Sequence, residues 1–337
     1  MATNEHESIR MKNMIRVYSC SLAALMFLGG VAQAAVVAPD GSGDFKTISA
    51  ALASGANDIR IKSGVYHELL NIDRAHVQLR GLGSRPQDVV LSYDLSAGTA
   101  GGTTKSASVT VSGDDFYAEN LTIENSFSRT RPLAHEGSQA VALKVTGDRG
   151  VFRRVRFLGY QDTLYAASKH CDSDAGPCVP ARQYFVDCYV EGNVDFIFGD
   201  ALAYFENCEI HALLHSTIML TAHSKHYPEE HSGYVFDHCR ITADSGVQQV
   251  YLGRPWRAYA TVIYLNTEMP EAIATAGWHE WEHNGKPSLP TAFYAEYHST
   301  GPGASAARRQ LADADVAQFD RQQFLAGDDN WDPTKVH

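Results

Sequence analysis

From residue 59 onward the chain alternates apolar and polar positions in short runs broken by Gly, Asp and Asn. IRIKSGVY (59–66), HVQLR (76–80), VVLSY (89–93) and SVTVS (108–112) are examples. A period of two over four to eight residues marks a strand with one buried face. Helical spacing is weak until AQFDRQQFLAG (317–327) near the C-terminus. Many short strands of this kind form a sandwich, a barrel or a solenoid, and an internal repeat decides among them.

Such a repeat is present. FYAENLTIEN (116–125), VFRRVRFLGY (151–160), YFVDCYVEGN (184–193), YFENCEIHA (204–212) and VFDHCRITA (235–243) align on an aromatic residue at Tyr117, Phe152, Phe185, Phe205 and Phe236. Three places later stand Asn120, Val155, Cys188, Cys208 and Cys239, and the intervals between aromatics are 35, 33, 20 and 31 residues. One strand pattern held in phase across unequal intervals is what a parallel β-helix produces, because each coil carries loops of its own length. The fold expected is therefore all-β.

The register has two chemical consequences. Equivalent positions on successive coils stack at about 4.8 Å. Cys188 and Cys208 are equivalent and one coil apart, inside the Cα separation that a disulfide accepts, so a Cys188–Cys208 bridge is predicted. Cys171 and Cys178 flank a hydrophilic DSDAGP stretch and could close a small loop, which leaves Cys239 free. Asp162 and Asp195 each follow their coil's anchor by seven residues, and Gly159 and Gly192 match as well. The two carboxyls then lie within about 5–7 Å of each other, among Leu, Tyr, Phe and Ile. A close acid pair with divided pKa values suits a glycosidase or a carboxylate nucleophile acting on an ester. Arg254, in YLGRPW (251–256), is the cation best suited to hold one of the pair ionised. Gln139 and Gln161 could donate to an oxyanion.

Composition narrows the compartment and the partners. The first 34 residues read as a signal peptide: a positive stretch from Met11, the apolar run SLAALMFLGGV (21–31), and Ala32-Gln33-Ala34 as the cleavage site. The true start could be Met11 or Met14. The apolar run is too short to span a membrane, and Cys20 precedes it, so no lipid anchor is expected. The remainder, 35–337, reads as one catalytic domain. The chain has 39 acidic and 28 basic residues, a formal net charge of −11; removing residues 1–34 takes three cations and two anions and leaves −12. That balance disfavours nucleic acid as a partner. A monomer is expected, secreted to the periplasm or the exterior.

The motifs GVYHE (64–68), QAVAL (139–143), QDTLY (161–165), DFIFGDA (195–201) and YLGRPW (251–256) resemble, in order, the signature segments of the pectin methylesterase (pectinesterase) family, bacterial secreted type. GWHEW (277–281) and YAEYHSTGPGA (294–304) extend the likeness to most of the chain after the leader. The resemblance implies a right-handed parallel β-helix that hydrolyses methyl esters of galacturonan and needs no metal or other cofactor. It implies Asp195 as nucleophile, Asp162 as acid and then base, Gln139 and Gln161 as oxyanion donors, and Arg254 as the group that orients Asp195. Trp256 is expected to wall the sugar cleft, with Tyr165, Phe198 and Trp278 as further aromatic contacts and Ser108 as a polar one. CDSDAGPC (171–178) looks like an insertion, and residues 213–233 match no family motif. Six His between His211 and His238 invite a metal reading, but their spacing on strands does not converge. An acidic enzyme should favour the neutral, highly methylated stretches of such a polymer. The competing readings are a non-catalytic carbohydrate-binding β-helix, a related esterase or thioesterase, and a β-helical lyase or glycosidase.

Overall fold

A computed structural model of the chain describes residues 34–130, 137–169 and 179–336. Ten strands pair in chain order in one parallel sheet: Ala35–Val37, Asp58–Ile61, Gln78–Gly81, Tyr117–Asn125, Gly150–Leu158, Arg182–Val186, Leu202–Glu206, Gly233–Asp237, Thr261–Leu265 and Phe293–Tyr297. A second sheet stacks Leu70–Ile72, Val109–Val111, Leu143–Val145, Leu164–Ala166, Ile197–Gly199 and Thr221–His223, also parallel and in chain order. A third row runs from Gly64–His67 and Val89–Tyr93 through the far halves of the two nine-residue strands to Tyr189–Gly192, Glu209–Ala212 and Arg240–Ala243. Chain-order pairing in all three rows means that the chain visits each row once per turn. That is a parallel β-helix, and crossovers between parallel strands give it the right-handed sense.

The apolar faces of the rows point inward and stack rung on rung. Phe152, Phe185, Phe205, Phe236 and Tyr264 form one column, with neighbouring ring centroids 4.8, 4.6, 4.6 and 4.7 Å apart and planes within 11° of parallel. The repeat intervals of 33, 20 and 31 residues are these pairings. The first interval is corrected. Phe152 pairs with Ala118, and Tyr117 pairs with Val151 on the outer face. Strand side chains alternate, so a one-residue slip moves an aromatic from core to exterior. There Tyr117 donates to Glu119 and lies under Arg80.

The predicted Cys188–Cys208 disulfide is not formed. Cys188, Cys208 and Cys239 stack on three successive coils as buried free thiols. Each sulfur lies 3.4 Å from a main-chain carbonyl oxygen of the preceding coil, Phe152, Phe185 and Phe205 respectively, to which it donates. The stacking that made a bridge feasible also gives every thiol its own acceptor, and burial pushes the Cys188 and Cys208 thiols up, away from the reactive thiolate. Cys171 and Cys178 lie outside the described residues. At the C-terminus Asp313–Val316 and Arg321–Leu325 are helical, and Phe319, Phe324 and Leu325 cover the outward side chains of Tyr184 and Tyr204.

Candidate active site

The second sheet ends in the turns that carry the acid pair. Leu164 pairs with Ile197 and Tyr165 with Phe198, so Asp162 and Asp195, two residues before each strand, hold one station on adjacent coils. The Asp162 N–H donates to the Val194 carbonyl, 3.1 Å away. Both aspartates take the left-handed backbone conformation, φ 64° and 51°, which a short polar side chain tolerates better than most. Gly192 precedes the second turn because nothing larger fits: a Cβ there would lie 2.3 Å from the Phe196 Cβ and 2.5 Å from the Tyr160 carbonyl oxygen.

Arg254 reaches the pair from a later coil. Its backbone N–H donates to the Thr221 carbonyl, and that of Trp256 to His223, so YLGRPW runs beside the Thr221–His223 strand. Gly253 allows the approach, since a Cβ would come within 2.0 Å of the Thr221 hydroxyl. The guanidinium then grips Asp195 with both arms, Nε to Oδ1 at 2.8 Å and Nη2 to Oδ2 at 2.5 Å. Its other face meets the Trp281 ring, with Cζ 4.2 Å from the centroid.

The surroundings divide the two acids. Asp162 is 9% and Asp195 5% exposed. Burial, and then the charge of Asp195, raise the Asp162 carboxyl well above the usual carboxylate range. Burial pushes Asp195 up too, but the Arg254 hydrogen bonds and charge, joined by His279, pull against it. Asp162 is therefore the member that keeps its proton, and Asp195 the ionised one.

A cleft of about 310 Å³ opens over the pair, with Gln139 and Gln161 on its wall beside the carboxyls and Phe198 and Trp256 as its aromatic sides. Tyr165 stacks on Phe198 with centroids 4.6 Å apart, behind the cleft surface. The sequence expected Tyr165 in the cleft itself, and two further expectations are corrected. Ser108 is fully buried in a sheet rung, its N–H donating to Val141, and the cleft residues on that side are Thr103 and Thr104. Trp278 pairs through Gly253 and packs against Tyr264 and Tyr294 in the core, at 6.0 and 4.4 Å; the tryptophan in the cleft is Trp281. Both tryptophans stand in GWHEW, and only the inward pairing of the first separates them. The histidines after His211 disperse. His211 bonds Thr242 and Asp244, while His223 is buried between Ser232 and the Thr261 N–H and held neutral, its pKa lowered to about 3 by burial.

A parallel β-helix with a protonated aspartic acid beside an arginine-clamped aspartate, at the floor of an aromatic-sided cleft, is an arrangement suited to hydrolysis through an aspartate nucleophile. The pectinesterase family profile matches residues 34–328, and the chain belongs to that family. It is 37% identical over 320 residues to pectinesterase 2 of Citrus sinensis, covering 88% of this chain and 58% of that one. The chain spans about half the length of the curated plant relatives it matches, from 41% to 58%. Among solved structures, pectin methylesterase from carrot has a TM-score of 0.76 at 32% identity, covering 88% of this chain and 94% of that one. Pectin methylesterase PemA from Erwinia chrysanthemi has a TM-score of 0.76 at 33% identity, covering 89% and 98%. A pectin methylesterase in complex with a hexasaccharide gives 0.77 at 33%, with the same coverage. These curated relatives are plant proteins, and these likenesses carry the family and not the bacterial subtype.

Proposed function

We propose that this chain hydrolyses the C6 methyl esters of pectin, giving pectate and methanol. The observation that carries the reading is the bidentate Arg254–Asp195 pair set beside a buried Asp162 that retains its proton. Asp195 attacks the ester carbonyl carbon, and the amides of Gln139 and Gln161 donate to the oxygen that becomes anionic. Collapse expels methoxide, which takes the Asp162 proton and leaves as methanol. The Asp162 carboxylate then removes a proton from water as its oxygen attacks the acyl–Asp195 anhydride, which frees Asp195 and the galacturonate and restores the acid. Trp256 and Phe198 present ring faces to the sugars.

The proposal includes a monomer of the bacterial secreted type, periplasmic or extracellular, without membrane anchor or nucleic-acid partner. The leader pattern of residues 1–34 supports the export, and the acidic balance supports the lack of a nucleic-acid partner. Among the described residues no helix is long and apolar enough to cross a membrane. Methanol release from pectin by the wild type and by Asp195→Asn tests the chemistry: the wild type is expected to release methanol and the variant to bind pectin without doing so. A wild type that binds pectin and releases none overturns the reading. Export predicts a mature N-terminus at Ala35, read by sequencing the exported protein.

A further inference from the structure

Arg254 is held on two faces, by Asp195 and by the Trp281 ring. Trp281 begins a small hairpin, Glu282–His283 paired antiparallel with Lys286–Pro287, whose tip residues are exposed. One side chain closes the base of that hairpin. Glu280 Oε1 accepts from the backbone N–H groups of Trp281 (2.9 Å), Ser288 (2.7 Å) and Leu289 (3.1 Å). Ser288 is buried and Leu289 packs on the core, so the far end is fixed to the body of the β-helix. A single carboxylate oxygen thus joins both ends of the loop and ties the main chain of Trp281. Glu280 itself is not among the residues lining the cleft.

We infer that Glu280 is a positioning residue for the ester hydrolysis proposed above: by closing the hairpin it holds Trp281 against Arg254, and through Arg254 it fixes Asp195. The inference rests on the reading of Asp195 as nucleophile. The Arg254 side chain is 24% exposed and open to the cleft. A long side chain in that setting has other rotamers, and an aromatic face over the guanidinium removes them. The charged groups acting on Asp195 are Arg254 and His279, Asp162 stands beside it, and the neighbouring Tyr294 phenol feels both Asp195 and Glu280. Arg254 is the main one favouring the carboxylate, so loosening it raises the pH at which Asp195 ionises.

The experiment measures kcat and KM for methanol release across the acid range for the full chain and for Glu280→Ala, Glu280→Gln and Trp281→Leu. Glu280→Ala is expected to lower kcat about tenfold, within the range one cation–π contact supports. Its KM should stay within about twofold, and the acid limb of its pH profile should move to higher pH. Glu280→Gln should recover most of the rate, because an amide oxygen still accepts from the three N–H groups. Trp281→Leu should reproduce the kcat loss and the displaced limb. Wild-type kcat and acid limb in Glu280→Ala overturn the inference. So does a Glu280→Gln as impaired as Glu280→Ala, which would mean that the charge acts and not the closure. If Glu280→Ala loses its cooperative melt, Trp281→Leu decides alone, and a wild-type profile there overturns the inference. A wild type that releases no methanol sinks the functional reading instead.

Discussion

Two of the coil's corners share one backbone conformation. At the outer corner Asn120, Arg154, Asp187, Asn207, His238, Asn266 and His298 have φ between 49° and 55°, and at the cleft corner Asp162 and Asp195 have 64° and 51°. Outside, Asp187, Asn207 and His238 are exposed, and Asn120 bonds the Gly81 and Gly83 carbonyls. At the cleft the same geometry lies under cover, and its carboxyls face each other and an arginine. The left-handed corner is a requirement of the fold that short polar residues meet at low steric cost. Chemistry arises where enclosure adds a desolvation penalty to that corner. A turn-forming Asp and a nucleophilic Asp are therefore indistinguishable by local conformation and distinct by surroundings.

Asp195→Asn breaks that comparison hardest. Asparagine keeps the size and tolerates the left-handed backbone, but it is no nucleophile. Methanol release should fall about 10⁴-fold while the thermal midpoint stays close to the wild type's. Asp187→Asn, the same exchange at the outer corner, should leave the rate unchanged. A comparable loss at Asp187 would show that enclosure is not what sets the cleft aspartate apart.

Asp162→Asn is the next largest, with a rate loss of about 10²–10⁴-fold expected for removal of a general acid. It also carries a pH signature. The folded state holds the Asp162 proton to well above the ordinary carboxylate range, whereas the unfolded chain releases it near about 3.9. Stability linked to this proton is complete below the unfolded value and is lost as pH climbs through the folded one. Asparagine cannot ionise and escapes that loss. The melting temperature of Asp162→Asn relative to the wild type should therefore rise with pH over that window. A difference that stays flat with pH would mean that Asp162 ionises in the folded state as freely as in the unfolded one.

The comparison also marks how far the chain was legible. The coil intervals from Phe152 to Phe236 could be read because each rung repeats an aromatic and, three places on, an inward small or thiol side chain. The acid pair followed from the same phase, and Arg254 from its fixed turn between Gly253 and Pro255. Three of the errors share a cause: local pattern does not say which way a side chain faces. Tyr117 was one residue out of phase because its inward neighbour, Ala118, is too small to signal. Trp278 and Trp281 differ only in which of them a bridge to Gly253 turns inward. Ser108 sits in an apolar rung, where sequence cannot tell a buried hydroxyl from a contact. The cysteine register was sound, yet proximity did not make a bond where each thiol had a carbonyl of its own.

The smallest effect tests the premise that the two corners share a backbone requirement. At a positive φ, alanine suffers a Cβ clash that glycine lacks, so Asn207→Ala should be less stable than Asn207→Gly by about 1 kcal/mol. In a domain of this size that is a shift of about 2 °C in melting temperature. Asp195→Ala and Asp195→Gly should differ by a similar amount in the same direction, although both lose the nucleophile and both leave Arg254 without its partner. Taking the Ala-minus-Gly difference at each site removes those common losses and leaves the backbone contribution. Equal differences at Asn207 and Asp195 support one corner used twice. A markedly larger difference at Asp195 would mean that the cleft turn is strained beyond what the coil demands, and enclosure would no longer be the only distinction between the two corners.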